Sequence, residues 1–103
     1  MIEGKEVREE GIESGYELLY DLTEVIRKET VTFYDFPKDL KILKAKLFKG
    51  PDGWGGVVRY LIIWYEFDGI QYKIEKPVYA NLKSLIIDTV FEIVAHYRRF
   101  HIT

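Results

Sequence analysis

The chain has 103 residues, a net charge of −2 and no cysteine. That length supports one domain, and the missing thiols exclude disulfides, cysteine-ligated metals and cysteine nucleophiles. With 48% hydrophobic and 31% charged residues the chain reads as globular, and no apolar run approaches the roughly 18 residues of a membrane span.

The charge is uneven. Residues 1–29 hold nine acids against four bases, whereas residues 38–49 hold five lysines against one aspartate. An acidic total disfavours sequence-independent DNA binding, while the local basic stretch keeps single-stranded nucleic acid in view. Met1 to Glu6 has neither the basic nor the apolar part of a secretory leader, so a cytoplasmic protein is expected.

In chain order, residues 1–13 are charged, contain Gly4 and Gly11, and read as a loosely held arm before a single α+β domain over 14–103. Ser14-Gly15-Tyr16-Glu17 fits a capping box, which predicts a helix to about Glu29 with Leu18, Leu19, Leu22, Val25 and Ile26 as its buried stripe. Thr30 to Phe36 is β-favourable, and Pro37-Lys38-Asp39 reads as a turn. Leu40 to Lys49 fits a strand with Leu43, Ala45 and Leu47 on one face, or a helix with Leu40, Leu43, Leu47 and Phe48 in a stripe. The strand is preferred.

Gly50 to Gly56 reads as a hairpin loop before Val57 to Phe67. That strand is apolar on both alternating faces, with Val57, Leu61, Ile63, Tyr65 and Phe67 on one and Val58, Tyr60, Ile62 and Trp64 on the other. A half-buried strand would show a polar face, so this one needs cover on both sides. Asp68-Gly69 predicts a two-residue type I′ turn into Ile70 to Lys76, which alternates cleanly and stops at Pro77. The last helix, from about Ala80 to Phe100, has a narrow polar stripe of Asn81, Ser84, Asp88, Glu92, His96 and Arg99. Its apolar arc is wider than one core needs, leaving Ile87, Phe91 and Val94 as surplus. The expected order is α-β-β-β-β-α, a four-stranded antiparallel meander with the N-terminal and C-terminal helices on one face.

Gln71 and Asn81 are the only side-chain amides and Met1 the only methionine, while lysine, glutamate, isoleucine and tyrosine abound. Such usage is a hyperthermophile tendency, and it resembles that of small orphan proteins of hyperthermophilic archaea and their viruses. The resemblance is one of composition. It implies a thermophilic archaeal or viral source, and host cytoplasm in the viral case.

Two helices on one face leave the other face of the central strand to a partner. Tyr60, Trp64 and Tyr65 are therefore candidate interface residues, together with Ile87, Phe91 and Val94, and a homodimer is the simplest cover. The leading reading is a non-enzymatic protein–protein interaction protein. The alternative is a nucleic-acid-binding protein using Lys41, Lys44, Lys46, Lys49, Trp54 and Arg59, because cations hold phosphates and aromatic rings stack on bases. As strand residues these lysines fall on both parities, and lysines also guard edge strands against unwanted pairing. A remote third reading is a metal-dependent nuclease of the PD-(D/E)xK kind, with Pro51-Asp52 and Gln71-Tyr72-Lys73. Gln71 there replaces an acid, and Asp52 reads more simply as a turn residue. His96 and His101 are five apart and do not share a helix face. No cofactor, metal or small-molecule ligand is predicted.

Overall fold

The computed structural model describes residues 15–33 and 35–101, so the expected arm and the Ser14 cap lie outside the described residues. The chain runs β1 (Glu17–Asp21), α1 (Thr23–Val31), β2 (Lys41–Pro51), β3 (Val57–Phe67), β4 (Ile70–Val78) and α2 (Leu82–Arg99). The strands form one antiparallel sheet in the order β1-β2-β3-β4. The α+β class, the four-stranded antiparallel sheet and the N-terminal and C-terminal helices agree with the sequence expectation, but the order is β-α-β-β-β-α and not α-β-β-β-β-α, because the first strand is Glu17–Asp21 and not Thr30 to Phe36.

The first half is assigned differently in detail. The expected helix from Ser14 begins instead at Thr23, and residues 17–21 are a strand. The break has a local cause. Asp21 Oδ1 accepts hydrogen bonds from the Thr23 backbone N–H at 3.0 Å and its hydroxyl at 2.6 Å, which turns the chain. Leu22 N–H then donates to Ala45 O at 2.8 Å, and Ala45 N–H to Thr23 Oγ1 at 3.0 Å, pinning the start of α1 to β2. Thr30 and Val31, read as strand, are the last turn of α1. Asp35 takes φ +68°, which Asp tolerates better than most residues, and helps to end that segment.

Leu40 to Lys49 resolves as a strand with one irregularity. The register between β2 and β3 slips between Ile42 and Lys44, leaving Leu43 as an extra residue. A bulge leaves ladder groups unpaired. Arg27 of α1 supplies them with donors, its Nε to Ile42 O at 3.1 Å and its Nη2 to Leu43 O at 3.0 Å, while Glu24 holds Nη1 at 2.9 Å. The Asp68-Gly69 turn has both residues at positive φ, +55° and +75°, as a type I′ hairpin requires. Asn81 caps α2, its side chain accepting from Ser84 N–H at 3.0 Å.

Both helices pack on one face of the sheet. Ile26 of α1 and Ile86, Val90 and Ile93 of α2 bury Leu47, Leu61, Ile63, Tyr65 and Phe67. The opposite face of β3 is buried too: Ile62 is 0% and Trp64 7% exposed, clustered with Phe48 and flanked by Tyr16, Leu43 and Tyr60. The expected uncovered patch is therefore not found at Trp64 or Tyr65. Part of the cover is Tyr16, whose ring stacks on Tyr60 at 4.9 Å and whose hydroxyl donates to Glu75 of β4 at 2.8 Å. That phenol is held well above its usual range by burial and then by the Glu75 carboxylate. Gly50 makes the passage, because a Cβ there would lie 2.7 Å from the Tyr16 ring.

Two substitutions test these supports. Gly50→Ala should cost about 1–3 kcal/mol by overpacking, and combining it with Tyr16→Ala should make the second change cheaper than it is alone, as urea unfolding of the cycle would read. Arg27→Lys should lose about 1–2 kcal/mol, because an ammonium cannot reproduce the fork that serves two carbonyls. Equal urea midpoints for Arg27→Lys and the unchanged chain would exclude the bulge lock.

A candidate apolar cleft between the helices

The surplus apolar residues of α2 meet the end of α1. Beyond α1 the chain tightens through Phe33 N–H to Thr30 O at 3.1 Å, with Thr32 Oγ1 donating to Glu29 O at 2.8 Å. This turn presents the Phe33 ring edge-on to Phe91 of α2, with centroids 4.8 Å apart. Ile87, Phe91 and Val94 follow one another at helical spacing. With Phe33 they line a cleft of about 510 Å³ whose polar rim includes Glu29, Asp35 and Arg98. That volume lies in the range of ligand and anchor-residue pockets, roughly 300–1,000 Å³. Val94 is buried, Ile87 half-buried, and Phe91 remains 58% exposed.

Three of the six candidate interface residues are thus brought together. The others are not: Tyr65 lies under the helices, Trp64 is buried on the opposite face, and Tyr60 is half-buried beside Tyr16. Helical periodicity located the α2 group. Nothing in the sequence indicated that the end of α1 would form the second wall, since that segment read as a strand.

The candidate nucleic-acid residues divide into two groups. Lys41, Lys44 and Lys46 pair with Glu66, Trp64 and Ile62 and share one face. The Leu43 bulge resets the alternation, so the mixed parity read from the sequence does not hold for these three. Lys44 Nζ sits over the Trp64 ring, 4.7 Å from its centroid, and Lys44 and Lys46 both have partners. Lys49 pairs with Arg59 on the helix-bearing face, near the β2–β3 loop that carries Trp54.

Asp52 is a loop organiser. Its Oδ1 accepts from Trp54 N–H at 2.7 Å and Gly56 N–H at 2.9 Å, and those two amides hold its carboxyl below the usual range. Lys73 pairs with Trp64, seven positions along β3 from Val57. At a strand rise of about 3.3 Å per residue this separates Asp52 from Lys73 by about 25 Å, so the residues of the nuclease reading do not converge.

The two histidines both pack on Phe67, at the other end of the molecule. His96 Nδ1 lies 2.8 Å from the Tyr65 hydroxyl, and its ring packs on Tyr72, Phe67 and Phe100. His101 stacks on Tyr97 at 4.1 Å and lies 3.0 Å from Asp68 Oδ2. Tyr97 donates to Asp39 at 2.5 Å, and this hydrogen bond is the main cause of its pKa being pushed up to about 12. Among the described residues no three His, Asp or Glu side chains converge as a metal site would need, and no helix is long and apolar enough to cross a membrane.

Burial, and then the Arg99 charge, lower the His96 pKa below its usual 6.5. The unfolded chain therefore binds this proton more readily, so its contribution is complete above pH 6.5 and declines as pH falls below that value. His96→Gln should flatten the fall in thermal midpoint just below pH 6.5, relative to the unchanged chain. Parallel profiles would mean that this imidazole is not desolvated.

Comparison with protein-family models, curated proteins and solved structures returns no match for this chain.

Proposed function

We propose that this is a non-enzymatic protein–protein interaction protein that forms a homodimer through the cleft between α1 and α2. One observation carries the reading: Phe91 stays largely exposed on the rim of an apolar cleft that has room for a ring. An exposed aromatic beside an apolar groove is an anchor and a receptor on one surface. A two-fold contact needs such self-complementarity, because the same patch faces itself.

The rim supports a second copy over an unrelated partner. It carries Glu29 and Asp35 on one side and Arg98 on the other, so a two-fold axis would set Arg98 of each copy against acids of the other. A stable dimer buries about 800 Å² on each subunit, so the surrounding helix faces would also take part. A thermophilic archaeal or viral source and residence in the cytoplasm belong to the same proposal, and rest on composition.

Phe91→Ala should weaken the dimer by about 2 kcal/mol, the loss typical of a central aromatic anchor, as sedimentation equilibrium would measure. Arg98→Glu should weaken it as well, and Glu29→Arg in the same chain should restore part of the loss. A monomer across the micromolar range, with unchanged sedimentation of Phe91→Ala, would overturn the dimer.

A further inference from the structure

The end of the sheet farthest from the histidines carries a different surface. Trp54, at the tip of the β2–β3 hairpin, is 92% exposed. Its loop is not slack: Asp52 binds the backbone at Trp54 and Gly56, and Gly53 and Gly55 supply positive φ. An exposed indole on a fixed backbone gives up little freedom when a flat ring stacks on it. Tyr79, 82% exposed, leaves β4 one residue beyond Val78, the cross-strand partner of Arg59.

Lys49 and Arg59 stand directly opposite each other, two pairs in from the loop. Like charges so placed destabilise a sheet. Lys49 has only a loose relief, Glu17 at 3.8 Å with both side chains at least half exposed, and the Arg59 side chain has no hydrogen-bond or ion-pair partner among the described residues. A loosely paired lysine and an arginine side chain without an ion pair, next to exposed rings, match a polyanion whose units also carry planar rings.

We infer that the β2–β3 hairpin end is a binding site for single-stranded nucleic acid, with Trp54 and Tyr79 stacking on bases and Lys49 and Arg59 holding the phosphates between them. The site differs from the lysine stripe expected from the sequence, since Lys41, Lys44 and Lys46 take no part. It is also independent of the cleft. Duplex DNA would offer the same phosphates but hide its bases, so the stacking platform selects single strands.

The probe is a short oligo-dT titrated against the full chain at low salt, read by tryptophan emission and by anisotropy of a labelled strand. Trp64 is buried, so quenching is expected to come from Trp54 and to vanish in Trp54→Phe. Affinity should fall about ten- to hundred-fold in Trp54→Ala, the usual effect of removing one stacking ring. Two neutralised phosphates predict a slope of log affinity against log salt of about −1.4, halved in Arg59→Gln. An unchanged far-ultraviolet spectrum checks that both surface variants fold. Absence of quenching and of an anisotropy change would overturn the site. So would equal binding of duplex DNA or of anionic lipid vesicles, or full affinity in Trp54→Ala.

Discussion

Burying both faces of β3 is the constraint on which the rest of this structure depends. Leu61, Ile63, Tyr65 and Phe67 project to one side, Ile62 and Trp64 to the other, and all six are buried. Each such side chain gains roughly 1.5–3 kcal/mol on leaving water, so neither face could be left open cheaply. The helices take one side. On the other, the cover described is thinner: Tyr16 crosses β2 at Gly50, and Lys44 holds its Nζ over the Trp64 ring. The two layers differ in kind, one a packed core of aliphatic side chains and the other a sheet of rings tied at the edges by polar tips.

The same constraint explains why α2 has apolar residues to spare. Its Val90 and Ile93 serve the sheet, while Ile87 and Phe91 turn toward the end of α1. The helix therefore belongs to two contacts at once, and the second is incomplete within the chain. Polar ties hold α2 from its middle to its C-terminal end. Lys76 of β4 meets Glu92 at 2.8 Å, and Tyr97 and His101 reach Asp39 and Asp68. A rigid α2 keeps Phe91 displayed on the surface where a flexible one would let it fold back.

Much of the second half was legible in the sequence because its signals are local. Asp68-Gly69 specified its turn, Ile70 to Lys76 its alternation, and the last helix its polar stripe. The first half was not, because a tertiary contact decided it. Leu18, Leu19, Leu22 and Ile26 have helical spacing, yet Ala45 of β2 binds both Leu22 and Thr23 and ends the strand there. Asp21 and Thr23 were the overlooked start signal, an aspartate and a threonine two apart just ahead of Glu24. The cleft was half visible, in the surplus stripe of α2. Its other wall depended on where α1 stops. The burial of Trp64 was hidden for a comparable reason: a ring from before β1 reaches across β2 only where Gly50 leaves space.

The Leu43 bulge bears on how this chain can change length. On either side of it the strand keeps strict alternation, and the extra residue is what lets Ile42 and Ala45 both face the helices while Lys41 and Lys44 both face away. Deleting Leu43 would leave a regular ladder with Ile42 still toward the helices and Lys41 away, but would remove the carbonyl arrangement that Arg27 reads. Inserting a residue there would turn Lys41 toward the helices and Ile42 toward solvent. Loops commonly absorb insertions and deletions, and Gly53 to Gly55 can do so here. β2 cannot, so among relatives of this chain the spacing from Arg27 to Ala45 is expected to vary only ahead of Leu40.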